Sequence, residues 1–207
     1  MAVGKKSEHK NAARSRFLIK KAFAELLHEK DIAKITVTDI VNRANISRGT
    51  FYAHYMDVYD LYAAIQTNII ESVSEEIDRI GIANIITDPT ESIHKGMEYL
   101  ATHKAYFKLY VTSSHSETLV NRVVNLVEER FAQEVGALFS EDDTKKGYLY
   151  LVYAAGAIKN FVLHWFNDQI DLSTEECADY ICDLYIKNRP DKIKNLASKF
   201  SSNTSAQ

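Results

Sequence analysis

The side chains with the most concentrated chemistry lie between Asn45 and Tyr55. There Ser47, Arg48, Gly49, Thr50, Tyr52 and His54 bring hydroxyls, a guanidinium, a phenol and an imidazole together within about two helical turns. Nothing in the chain makes a catalyst of them. It carries no Gly-rich nucleotide-binding loop, no His-Glu-x-x-His zinc pair and no Cys-x-x-Cys. Cys177 and Cys182 stand five residues apart, so on a helix they diverge by about 140° and suit packing better than a disulfide or a shared metal. The acidic pairs Glu75-Glu76 and Glu128-Glu129 fall on amphipathic stretches and are expected to face water. What remains is noncovalent recognition by hydrogen bonds and charge, with no enzyme activity, cofactor or metal expected.

Charge points to the same region. From Met1 to Tyr55 there are 11 Lys and Arg against 5 Asp and Glu, while the rest of the chain has 14 against 23. A cationic module therefore precedes an acidic body, although the net charge is only -3. By charge alone, Lys5, Lys6, Lys10, Arg14 and Arg16 fit a solvated arm as well as they fit a phosphate-binding surface.

The elements that must position these residues are helical, since period 3.6 patterning dominates and no alternating stretch calls for a sheet. A first helix is read from Asn11 to Glu29, with Ile19, Phe23, Leu26 and Leu27 on one face. Thr36 can cap a second helix and Asp39 can answer that cap, after which Val37, Ile40, Val41 and Ala44 form an apolar stripe. Asn45 tolerates the left-handed conformation that a tight turn needs, and Ser47 can cap a third helix. On that helix Phe51 and Tyr55 point inward with Ile46, leaving Arg48, Thr50, Tyr52 and His54 outside, which is a helix-turn-helix pattern.

Beyond Asp57, a plausible cap, the spacing of Leu61, Ile65, Ile69, Val73, Ile77 and Ile80 predicts a long connecting helix that stops at Gly81. Further helices are read over 90–102, 103–112, 117–138, 144–167 and 173–188, about nine in all. The expected organisation is all-α: a DNA-binding head over 1–56, a helical body over 57–189 and a loose tail over 190–207. The longest uncharged run, Gly147 to Ile158, is too short to span a bilayer. With two cysteines and a charged start lacking an apolar signal core, the chain reads as cytoplasmic and reduced, with no membrane partner.

The ungapped run from Thr36 to Tyr55 resembles the DNA-binding head of the TetR family of bacterial transcriptional regulators. It keeps the helix-two threonine, the Asp39-Ile40 pair, an Ala44-x-x-Ser47 turn, the Gly49-Thr50-Phe51-Tyr52 recognition segment and the His54-Tyr55 pair. The resemblance implies a regulator that binds a palindromic double-stranded DNA operator. Thr36 would meet a phosphate at its helix start, and Gly49 would let the backbone come close to DNA. Arg48 would read guanine with its fork, Thr50 would touch a base methyl or a phosphate, and Tyr52 and His54 would contact phosphates; Ser47 belongs to the same set. Two positions depart from the family pattern, with Asn45 at a turn glycine and Val58 where a phosphate-binding lysine is common. Ala53 also offers little reach.

Twelve of the 22 aromatic residues lie between Tyr99 and Phe166. They fit either a ligand pocket or a plain helical core; the pocket candidates are Tyr99, His103, Phe107, Tyr110, Tyr153 and Trp165. The resemblance further implies a homodimer built on the last two long helices, with Ala154, Ala157, Phe161, Ile181, Leu184 and Tyr185 as interface candidates; packing within one subunit is the alternative. The function so implied is a repressor released by a small-molecule effector. The alternative is an activator or interaction protein whose body binds a protein partner.

Overall fold

The computed structural model describes residues 2–111, 116–135, 141–187 and 198. Among them every regular element is helical. α1 runs Ala2–Glu29, followed by a short 3-10 turn at Ile32–Lys34, α2 at Val37–Ala44 and α3 at Arg48–Tyr52. α4 is Val58–Ile80, α5 Ile82–Thr87, α6 Pro89–Thr102, α7 Lys104–Val111, α8 Ser116–Val135, α9 Glu141–Phe166 and α10 Thr174–Lys187. The nine helices read from the sequence are all present. One further short helix, α5, lies between the helix that stops at Gly81 and the one read over 90–102, and α1 starts well before Asn11 because Ala2 to Lys10 contains no proline to stop it. The expected tail over 190–207 lies outside the described residues apart from Ser198.

Local chemistry sets the boundaries. The Thr36 hydroxyl accepts from the Asp39 amide at 3.2 Å while Asp39 Oδ2 accepts from the Thr36 amide at 2.8 Å, a closed capping box. Asn45 ends α2 in the left-handed region at φ 50° and ψ 53°. Ser47 and Asp57 accept from the amides of Thr50 and Asp60, at 3.0 and 2.8 Å, and so start α3 and α4. Gly81 ends α4 at φ 81°, a conformation that a side chain would strain.

The stripes foreseen on the first helices close into one core. Ile19, Phe23, Ile40, Phe51, Leu61 and Ile65 are fully enclosed there, and the same cluster continues through Phe107, Tyr110, Trp165 and Ile181, so head and body share apolar packing. Tyr110 Oη spans the join by donating to the Lys20 carbonyl at 2.9 Å. Cys177 and Cys182 are buried free thiols, as packing residues should be. Glu76 corrects the expectation of a wetted carboxylate: it is buried on the inner side of α4 and paired with Arg79 one turn on. An ion pair within one helix lets that face turn inward.

The capping box carries a measurable charge dependence. Lys30, 2.8 Å from Asp39, and then the hydroxyl and amide of Thr36 hold the Asp39 carboxyl down from its ordinary 3.8 to about 2. A depressed carboxylate stabilises the fold fully above its unfolded value and loses that contribution as pH falls through its folded value. Asp39→Asn is therefore expected to cost about 1 kcal/mol near neutral pH, as the loss of a helix cap does. The variant's melting temperature should also fall less steeply than the parent's between about pH 4 and pH 2. Parallel melting curves across that interval would remove Asp39 from the acid response.

Candidate nucleic-acid interface

α3 is held from behind by Phe51, whose ring is fully buried, and by Tyr55, 6% exposed. Their rings lie 5.9 Å apart. With that side anchored, the opposite side must face out. Ser47, Arg48, Gly49 and Tyr52 are exposed and Thr50 is half-buried beside the Ser47 hydroxyl, 2.9 Å away. A Cβ built on Gly49 would meet only the Ser47 hydroxyl at an ordinary 3.7 Å, so nothing inside the protein requires glycine there. The space it leaves belongs to the outer surface. The Tyr52 ring rests edge-on against Phe51 at 5.6 Å and is 56% exposed, which fixes the ring and leaves much of it open to solvent.

Thr36 is exposed at the start of α2, with its hydroxyl donating to Asp39 Oδ2 at 2.7 Å. His54 does not share the open face. It is half-buried, with Nε2 2.8 Å from the Ser15 hydroxyl on α1. Burial first, and the nearby Arg16 charge second, lower its pKa, so the ring is neutral near pH 7. It braces α3 against α1 and brings no charge toward a phosphate.

Val58, the departure from the family pattern, is part of the head's core at 6% exposure. Exposed nearby are Met56 at 78% and Tyr59 at 59%, on the link after α3 and in the first turn of α4. The basic residues Arg14, Arg16 and Lys21 are exposed on α1, whereas Arg43 is committed to Glu29 at 2.9 Å and Glu25 at 3.4 Å. Two features here went unremarked in the sequence. Tyr59 could have been noticed as an aromatic residue just inside a helix that follows the recognition segment. Thr38, in the first turn of α2, accepts a 2.6 Å hydrogen bond from Arg48 Nη2, a contact no spacing rule marks.

In the body the six pocket candidates separate. Tyr99, His103 and Phe107 form a ring group, with centroids 4.6 Å apart for Tyr99–His103 and 5.8 Å for each pair involving Phe107. Tyr110 and Trp165 are core residues whose polar atoms are engaged, by the Lys20 carbonyl and by the Leu172 carbonyl at 3.4 Å. Tyr153 lies elsewhere, 64% exposed with Tyr150 as its ring neighbour at 6.3 Å. It belongs to an outward apolar stripe on α9 formed by Leu149, Val152 and Tyr153 at i, i+3 and i+4.

The interface candidates separate too. Ala154 and Ile181 are buried in the subunit's own core, Phe161 packs against it, and Tyr185 is covered by Tyr150 at 5.3 Å. Ala157 and Leu184 face out. Both α9 and α10 carry apolar residues on more than one side, and sequence alone does not say which stripe meets the subunit's own core. Tyr180 and Leu184, one turn apart on α10, are likewise exposed, at 56% and 59%. The Tyr150 hydroxyl, donating to the Tyr185 carbonyl at 3.0 Å, ties α9 to α10. No helix among the described residues is long and apolar enough to cross a membrane.

Residues 19–65 match the family described as bacterial regulatory proteins, tetR family, and residues 87–187 match a transcriptional regulator C-terminal region. An HTH-type transcriptional regulator of Bacillus subtilis (strain 168), YxbF, is 42% identical over 76 residues, which make up 36% of this chain but only 19% of that protein. Among solved structures, a TetR transcriptional regulator from Streptococcus agalactiae 2603V superposes with a TM-score of 0.55 at 18% identity, covering 87% of this chain and 98% of that one. The dihydroxyacetone kinase operon activator DhaS gives 0.52 at 18% identity over 84% and 94% of the two chains. NalD of Pseudomonas aeruginosa, a repressor of a multidrug efflux pump, gives 0.51 at 15% identity over 85% and 96%. At these identities the structures speak for the shared fold alone. With a capped helix-turn-helix at one end and a helical regulator body at the other, the chain belongs to the TetR family of helix-turn-helix, DNA-binding transcriptional regulators, a family without enzyme activity.

Proposed function

We propose that this protein is a homodimeric repressor that binds a palindromic operator and is released when a small molecule occupies the body. The observation that carries the reading is the open face of α3, where Arg48 and Tyr52 stand outward on a short helix anchored from behind by Phe51 and Tyr55. Ser47, exposed at a helix start, borders that face and suits a phosphate oxygen, whereas Thr36 donates both its hydroxyl and its amide to Asp39 and serves the cap. A palindrome needs two such helices about 34 Å apart, and the apolar stripe on α9 and α10 is the surface on which two copies would pair.

The effector is assigned to the Tyr99–His103–Phe107 ring group, which sits where α6 meets α7. α7 carries Tyr110, and Tyr110 bonds the backbone of α1 in the head. A ligand that moves α7 would thus pull on the helix that braces α3 through Ser15 and His54. Footprinting of the DNA upstream of the gene tests the reading. A protected inverted repeat at low salt, lost on adding the effector, is expected. Absence of any protected site would favour the interaction reading, in which the body binds a protein partner.

A further inference from the structure

We infer that Thr38 is a positioning residue for Arg48: its hydroxyl holds the guanidinium in the orientation from which it reads a base. The inference rests on the reading of Arg48 as the base-contacting residue. Arg48 is the first residue of α3, exposed, on a long side chain with many rotamers, and its one described side-chain partner is the Thr38 hydroxyl at 2.6 Å. Thr38 is a stiff anchor. It is β-branched, and it lies in the first turn of a helix locked by the Thr36–Asp39 capping box, itself tied to Lys30 at 2.8 Å.

The geometry leaves the reading function intact. The bond uses one of the two protons on Nη2, so four of the five guanidinium N–H groups stay available, and a bidentate contact to a guanine edge needs two. The threonine has no charge to neutralise the arginine, so the positive charge that attracts DNA is kept. A carboxylate in the same place would hold the fork as firmly but would repel phosphates. Arg43 shows that alternative within the same head: bound by Glu29 and Glu25, it is spent on joining α2 to α1.

The test uses the full chain and a randomised duplex DNA library. The duplex recovered with the parent protein is titrated, together with its single-base-pair variants, against Arg48→Ala, Thr38→Ala, Thr38→Val, Thr38→Ser and the double variant Thr38→Ala/Arg48→Ala. Thr38→Ala and the isosteric Thr38→Val should each lower preference at the base pair read by Arg48 by about three- to tenfold, the cost of ordering one long side chain on binding. Thr38→Ser should restore it. In the Arg48→Ala background Thr38→Ala should change nothing further.

A Thr38 effect that persists without Arg48 would make the threonine a DNA contact in its own right and overturn the inference. A rise in affinity on losing the hydroxyl would also overturn it, since the threonine would then compete with DNA. If Arg48→Ala relaxes one base position while both Thr38 variants leave it unchanged, only the inference about Thr38 falls. If no duplex is enriched, or Arg48→Ala keeps every base preference, the base-reading role falls first. Thermal melting of each exposed variant separates loss of recognition from loss of fold.

Discussion

Leu184→Glu is expected to split the protein into monomers and to lower its affinity for a full palindrome by about a hundred- to ten-thousandfold, the gain that joining two binding units provides. Leu184 is 59% exposed on α10, one turn from the exposed Tyr180, and Leu149, Val152 and Tyr153 are exposed on α9. Paired about a two-fold axis, the stripe would meet itself, so each substitution is felt twice. A carboxylate buried there has no basic side chain to answer it among the described members of the stripe, and an unpaired buried charge costs several kcal/mol.

The monomer should keep its fold, because the side chain is exposed in the isolated subunit. Its affinity for a single half-site should be close to the parent's. Sedimentation fixes the assembly state, and titration of half-site against full palindrome isolates the contribution of pairing. A variant that stays dimeric would move the interface off α9 and α10. A monomer that binds the full palindrome undiminished would break the link between pairing and recognition.

The head was legible in the sequence because its signals are local. Thr36 with Asp39, Asn45 at the turn, Ser47 and Asp57 are caps whose partners lie three or four residues away, and each does in three dimensions what its type and spacing foretold. Phe51 and Tyr55 were placed inward by helical phase alone. The placement of His54 was not legible because its partner, Ser15, is 39 positions away on another helix, and nothing near it in the chain announces that bond. Thr38 escaped for the same reason at shorter range, since its contact with Arg48 crosses the turn between two helices.

The body was harder. On α9 and α10 both sides are apolar, Ala154 and Ile181 on one and Leu149, Val152, Tyr153, Tyr180 and Leu184 on the other. Hydrophobic periodicity identifies amphipathic helices and loses its power when apolar residues lie on more than one side. The exposed stripe becomes visible only after the subunit's own core has claimed the other side. The same ambiguity drew Tyr153 into the pocket set, although the fold sends it outward.

Arg48→Ala and Tyr52→Ala are expected to fail in different ways, and the contrast tests the recognition face directly. A bidentate arginine–guanine contact carries about 1–3 kcal/mol of discrimination, so losing Arg48 should flatten preference at one base pair per half-site by about five- to a hundredfold or more. Affinity for random DNA should fall far less, by the share of one phosphate-attracting charge, with a correspondingly shallower salt dependence. Tyr52 has no charge, and its ring is fixed edge-on against Phe51, so it can offer one hydroxyl at a set position but cannot adapt to different bases. Its loss should weaken cognate and random DNA alike, by about fivefold, with the salt dependence unchanged. Tyr52→Phe should do the same if the hydroxyl is the contact and nothing if the ring is. Because α3 is a single short helix, both side chains must meet the duplex from one docking pose. Arg48→Ala acting equally on cognate and random sequences would therefore remove base reading from that pose, while a base-specific loss at Tyr52 would rotate the helix in the groove.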